Sequence, residues 1–161
     1  MKKYLLVLFI GMYGASVYGQ SISLLNLMNL TTLNNKEAGD NLTSSKVFGL
    51  QFGEQVDGFV VEHYQTTAPA DKKETVIIGT GFKTASGAVL HTVSYISPDT
   101  KNVMNIMAQA KSSGLVQLFR GSDREDNIYI FDSFLYHVIV RVAINNSKGV
   151  VDVSEKQVFV E

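Results

Sequence analysis

Cysteine is absent from this 161-residue chain, and its absence excludes two kinds of exported protein at once. A lipid-anchored protein needs a cysteine at its processed N-terminus, and a small oxidised scaffold needs pairs of them. Only two prolines occur, Pro69 and Pro98, and both fall where a break is expected, one in a polar loop and one in the first turn of a helix. An excess of positive charge is also missing. Fourteen Lys and Arg face 15 Asp and Glu, and if Lys2 and Lys3 leave with an export signal the balance is 12 against 15, or −3. No basic cluster survives, so the phosphate-neutralising term that dominates nucleic-acid binding has little to work with. The apolar run from Tyr4 to Tyr18 falls short of the roughly 20 residues that a spanning helix needs, and no stable membrane anchor is expected after signal cleavage.

What is present begins with an address. Lys2 and Lys3 precede an apolar core from Tyr4 to Tyr13, and Gly14, Ala15, Ser16 and Gly19 supply small residues. Val17 and Gly19 at the −3 and −1 positions predict a signal peptide over 1–19, cleaved before Gln20. The remaining chain of about 140 residues buries about two thirds of its unfolded surface, enough for one domain without staples. A cysteine-free exported chain fits a periplasmic or secreted bacterial protein.

From residue 21 onward Leu24, Leu27, Met28 and Leu30 recur at helical spacing, with Ser21 or Ser23 as cap. Asn34 followed by Glu37 forms a capping-box pattern for a second helix carrying Ala38 and Leu42, weakened by Gly39. Beyond residue 45 the pattern turns to strands at 58–65, 74–83 and 88–96, with a loop at 66–73 and a turn at Ser86-Gly87. Residues 97–114 read as a helix, with Ser97 as N-cap, Pro98 at the first position, Asp99 against the dipole, Lys111 in the last turn and Gly114 past the end. Val103, Ile106, Met107 and Ala110 form its apolar face. Strands follow at 115–120, 127–131, 135–144 and 150–160, interrupted at Gly121 to Asp126, at Asp132-Ser133 and at Asn145 to Gly149. In 135–144, Tyr136, Val138, Val140, Val142 and Ile144 share one face while Leu135, His137, Ile139 and Arg141 share the other, the mark of an interior strand.

The expected class is α+β, with an antiparallel sheet of about seven strands and helices packed on one face, in a single domain over 20–161 with halves at 20–96 and 97–161. The helix pair at Leu24 to Leu30 and Ala38 to Leu42, followed by strands carrying Val60, Val61 and Ile77, resembles the ααβββ unit of the outer-membrane assembly lipoprotein and β-lactamase inhibitory protein-like families, where two units stand in tandem. The order also resembles small exported proteins of Bacteroidetes-type bacteria. The chain departs from the lipoproteins in having no lipobox cysteine. No functional residue is transferred, because a shared fold does not fix function.

Sequences that could carry chemistry are few. His63, His91 and His137 fall in strands, but without HExxH, Cys or a His-x-His pair they read as ordinary sheet positions. Asp132, Ser133 and His137 are close in sequence, yet no Gly-x-Ser-x-Gly elbow exists, and Asp132-Ser133 reads as a turn. Gly79-Thr80-Gly81 lacks the third glycine of a dinucleotide loop and reads as a bulge. Asp123, Glu125 and Asn127 alternate like calcium ligands, but Ile128 and Phe134 occupy the required glycine and glutamate positions, so a hairpin turn is expected. The sequons at Asn29, Asn41 and Asn145 matter only in a eukaryotic secretory pathway and are read as coincidental. Tyr129, Phe131, Phe134 and Tyr136 form an aromatic cluster, core by default and a protein-binding surface if their sheet face is uncovered. No catalytic residue, metal or cofactor is implied. The expected function is that of an exported, non-catalytic module recognising another protein. The alternatives are a small hydrolase or metal enzyme using the sheet histidines, and a carrier with an apolar cavity between helix and sheet.

Overall fold

The computed structural model describes residues 21–83 and 89–156, with the backbone alone for 80–83 and 89. The expected export signal, the Ser86-Gly87 turn and the end of the last strand lie outside the described residues.

Helix α1, Leu24–Leu30, starts where Ser23 accepts a hydrogen bond from the Asn26 amide and the Asn26 side chain bonds back to Ser23, and it buries Leu24, Leu27, Met28 and Leu30. Helix α2, Asn35–Ser44, opens on the predicted Asn34 and Glu37 capping box and buries Ala38 and Leu42. Gly39, a poor helix former, has a packing reason: a Cβ there would lie 2.5 Å from the Tyr64 hydroxyl.

Eight strands follow: β1 Phe48–Val56, β2 Phe59–Thr66, β3 Thr75–Lys83, β4 Val89–Ser97, then helix α3 Thr100–Ser112, and β5 Val116–Ser122, β6 Asp126–Asp132, β7 Tyr136–Ala143, β8 Gly149–Glu155. They form one antiparallel sheet in the order β1-β2-β3-β4-β8-β7-β6-β5. The class is α+β, mostly sheet, with one strand beyond the seven read from sequence. That strand is β1, whose Gly49 and Gly53 break the apolar alternation. An edge strand with most residues exposed has no need of that pattern. As expected, β7 is interior, between β6 and β8, although Ile144 falls just past its end and is 52% exposed.

The start of α3 differs from the expectation. Asp99, not Ser97, is the N-cap, its carboxylate accepting from the Lys101 amide at 2.9 Å. Ser97 is still the last residue of β4, and its hydroxyl bridges to the Asp99 backbone. Gly114 takes the predicted left-handed conformation past the end, with φ +82°.

All three α-helices among the described residues lie on one face of the sheet. There Leu24, Leu27, Ile106 and Ala110 meet Val76, Ile78, Val93, Tyr95, Val138, Val140, Val151 and Val153 in one core. Helix α3 packs tightly on the sheet at Gly149, where a Cβ would come within 2.7 Å of Val103. Replacing Gly149 by Ala should therefore push α3 off the sheet and cost about 1–3 kcal/mol, measured as a fall in urea midpoint without a change in slope; an unchanged midpoint would show that α3 gives way freely.

Candidate functional site

Strand alternation and cross-strand register divide the sheet into two faces. The uncovered face carries Phe52 and Glu54 from β1, opposite His63 and Val61 of β2. It continues through Ile77 opposite Ser94, Ser94 opposite Asp152, and Asp152 opposite Ile139. On the far side Ile139 faces Ile130, and Ile130 faces Phe119. Both edge strands bulge, between Leu50 and Phe52 in β1 and between Gln117 and Phe119 in β5. In each case the residue after the bulge is a phenylalanine about half exposed, Phe52 at 53% and Phe119 at 48%. The bulges thus put an aromatic ring at each rim, about 34 Å apart across seven strand spacings.

Between the two apolar bands runs a polar strip whose charges are already satisfied. Ser94 donates to Asp152 at 2.6 Å, and Arg141 donates to the other oxygen of the same carboxylate. His137 meets Asp132 at 2.8 Å, and Lys156 donates to Asp132 and, at 2.9 Å, to the Ser133 carbonyl. His63 pairs with Glu54 at 3.1 Å and stacks on Phe52, with ring centroids 4.1 Å apart. The ammonium of Lys156, and then the imidazole of His137, hold the Asp132 carboxyl below its ordinary pKa against partial burial.

The aromatic cluster does not stay together. Phe131 is fully buried beneath the helices, because alternation groups it with Tyr129 on the covered face, opposite Val138 and Val140. Tyr129 and Tyr136 are partly buried against the same core. Phe134 alone is strongly exposed, at 76%, in the connection between β6 and β7. Phe131, Tyr129 and Tyr136 thus belong to the covered side, and the rings on the uncovered face are ones the sequence did not single out. The signal for Phe52 and Phe119 was weak, since each sits beside a glycine-containing edge segment rather than in a clean alternation.

The other candidates are also placed. His91 is buried on the covered face, bonded to the Gly79 carbonyl at 3.3 Å. His63 and His137 share the uncovered face but stand on β2 and β7, four strand spacings or about 19 Å apart. One metal ion cannot bridge them, and no metal-ligand group of three exists among the described residues. Asp132 and His137 do pair, but the Ser133 hydroxyl is turned away, accepting from the Tyr136 amide at 2.9 Å. Asp123 accepts from the Glu125 and Asp126 amides, both at 2.7 Å, closing the β5–β6 turn, and these bonds lower its pKa. Gly79 to Gly81 is a bulge against β4, and a Cβ on Gly79 would lie 2.8 Å from the Thr92 carbonyl.

Comparison of the chain with protein-family models, curated proteins and solved structures returns no match.

The Asp132 pair and its pKa give a pH dependence of defined sign. Folding depresses this pKa, so the stabilisation is complete above the unfolded value of about 4 and is lost as pH falls through the lower folded value. Asp132→Asn should cost about 1 kcal/mol near neutrality, given a half-screened site, and the difference from wild type should shrink toward pH 3 in urea melts; a gap that widens on acidification would contradict this.

Proposed function

We propose that the chain is an exported, non-catalytic binding module that docks an apolar, largely uncharged protein surface on its uncovered sheet face. One observation carries this reading: the charges of the central strip are paired within the chain, while the apolar residues on both sides end in two half-exposed rings, Phe52 and Phe119, with no helix over them. A face whose charges are satisfied offers little attraction to polyanions or lipid headgroups, and desolvating its apolar bands favours a protein partner.

Size agrees with this. Eight strands of about eight residues span about 34 by 26 Å, on the order of 900 Å², close to the roughly 800 Å² per partner of a standard interface. Residues 1–19 supply the export half of the reading, since their charged, apolar and small-residue segments follow the order of a cleaved signal. The family resemblance enters as architecture alone: a helical pair with one meander, then a helix with another. No helix among the described residues is long and apolar enough to cross a membrane.

Photo-crosslinking in the exporting cell tests both halves. A crosslinker at position 119 or 52 should capture one discrete protein outside the cytoplasm, whereas one at Lys36, on α2 of the opposite side, should capture none. Phe119→Asp should abolish the product and change stability by no more than about 0.5 kcal/mol, as expected of an exposed edge position. Mass spectrometry should find the chain beginning at Gln20. Crosslinks from Lys36 alone, or a chain retained in the cytoplasm, would reject the reading.

A further inference from the structure

Strand β5 closes one side of the sheet and is open in every direction but one. Among the described strands it pairs only with β6, α3 packs over β4, β7 and β8, and every residue of β5 except Gly121 is exposed. Its backbone shows where the opening lies. The Asp123 amide donates to the Asp126 carbonyl at 3.0 Å, so by alternation Gly121 with Ile128 and Phe119 with Ile130 are the hydrogen-bonded pairs of the ladder. The N–H and C=O of Arg120 and Ser122 therefore face the free edge. The bulge after Gln117 ends the regular stretch, which confines the usable edge to Phe119 through Ser122.

The side chains on this stretch are sorted by face. Arg120 lies on the helix side, its guanidinium 5.9 Å from the centroid of Tyr129, and Lys111 in the last turn of α3 holds its ammonium 6.0 Å from the centroid of Phe131, two residues along β6. Among the described residues neither cation forms an ion pair. Alternation puts Asp126 and Asp132, the two acids of β6, on the other face. Phe119 is on the open side, and its ring folds back along the strand over Gly121, where a Cβ would come within 2.5 Å of it. The opposite edge has no such pattern, because the one charge of β1, Glu54, is already paired with His63.

We propose that Phe119 through Ser122 takes an extended segment of another protein as an added antiparallel strand, with an acidic residue opposite Arg120 and an apolar residue on each side of it. The added residue exchanges hydrogen bonds with the outward N–H and C=O of Arg120, which sets its carboxylate beside the guanidinium on the helix side. Opposite charges facing each other across strands stabilise the pair. Period-two alternation then carries the flanking apolar side chains to the open side, next to Phe119 and Gly121. Lys111 adds positive potential on the helix side. The assignment rests on the reading of the chain as a protein-binding module and names what one rim of its surface takes.

NMR titration of the folded chain with the peptide acetyl-Thr-Val-Glu-Val-Thr-amide tests it. Saturable shifts should be confined to β5 and the facing residues of β6, and the Arg120 and Ser122 amides should exchange more slowly with solvent at saturation. The same peptide with Lys at its centre should bind about fivefold more weakly, and one with an N-methylated central residue, unable to donate to the Arg120 carbonyl, should leave exchange unchanged. Arg120→Glu should reverse the order of the Glu and Lys peptides; the comparison on the unaltered chain decides the matter if this variant fails to fold. Equal binding of the Glu and Lys peptides, shifts centred on β1 or on the middle of the open face, or no saturable shift at about 10 mM would overturn the proposal. A discrete crosslink from position 52 alongside such a result would show that the edge assignment fails while the binding-module reading stands.

Discussion

The pairing of β4 with β8 is the contact on which the rest of the structure depends. Each is the last strand of its meander, and their six-residue register, from Thr92 opposite Ser154 to Ser97 opposite Gly149, joins two four-stranded sheets into one. The seam is sealed on the covered face by Val93, Tyr95, Val151 and Val153, all with no exposed surface. Helix α3 is the crossover that makes this possible, carrying the chain from the centre of the sheet to its far edge so that the second meander can return inward. Its close contact at Gly149 places it over that seam. Burial of these side chains, each worth about 1.5–3 kcal/mol, is what a chain without cysteine has in place of covalent staples.

A single helical layer leaves the opposite face of the sheet open, and the side chains there show how an open face is tolerated. The charges of the central strip are matched across strands, Arg141 with Asp152 and Asp132 with His137 and Lys156, so desolvating that strip leaves few groups unpaired. The apolar bands beside it have no such internal solution. Edge strands are shortened as aggregation templates by a bulge in each, which twists the backbone locally and breaks the ladder. The same bulges turn Phe52 and Phe119 onto the open face, so one device both blunts the edges and marks the rims of the surface.

The two-residue delay in starting α3 has a chemical consequence. With Asp99 as cap, Ser97 and Pro98 become the wall of a polar cavity instead of the first turn of a helix, and Asn102 turns toward Glu74. The cavity therefore owes its polar floor to the end of β4 as much as to the helix.

The sequence by itself determined the α+β class, the helix pair with its Asn34 and Glu37 cap, the apolar stripe of α3, the Gly114 stop and the interior character of β7, because each depends on spacing within one element. It missed β1, since an exposed edge strand is under no pressure to alternate, and it placed the cap of α3 two residues early, since Ser97 and Asp99 are both good caps and only the length of β4 chooses between them. The tertiary structure alone decided which face of each strand is covered. Period-two alternation states that Phe131 and Ile130 point opposite ways, but not which of them meets the helices. That choice sent Phe131 into the core and brought Phe119, Ile130 and Ile139 to the surface. It also set His63 and His137 far apart and brought Glu74 and Asn102, 28 residues apart in sequence, together at one cavity. Such groupings arise from strand order and helix placement, which are long-range packing solutions that no local pattern encodes.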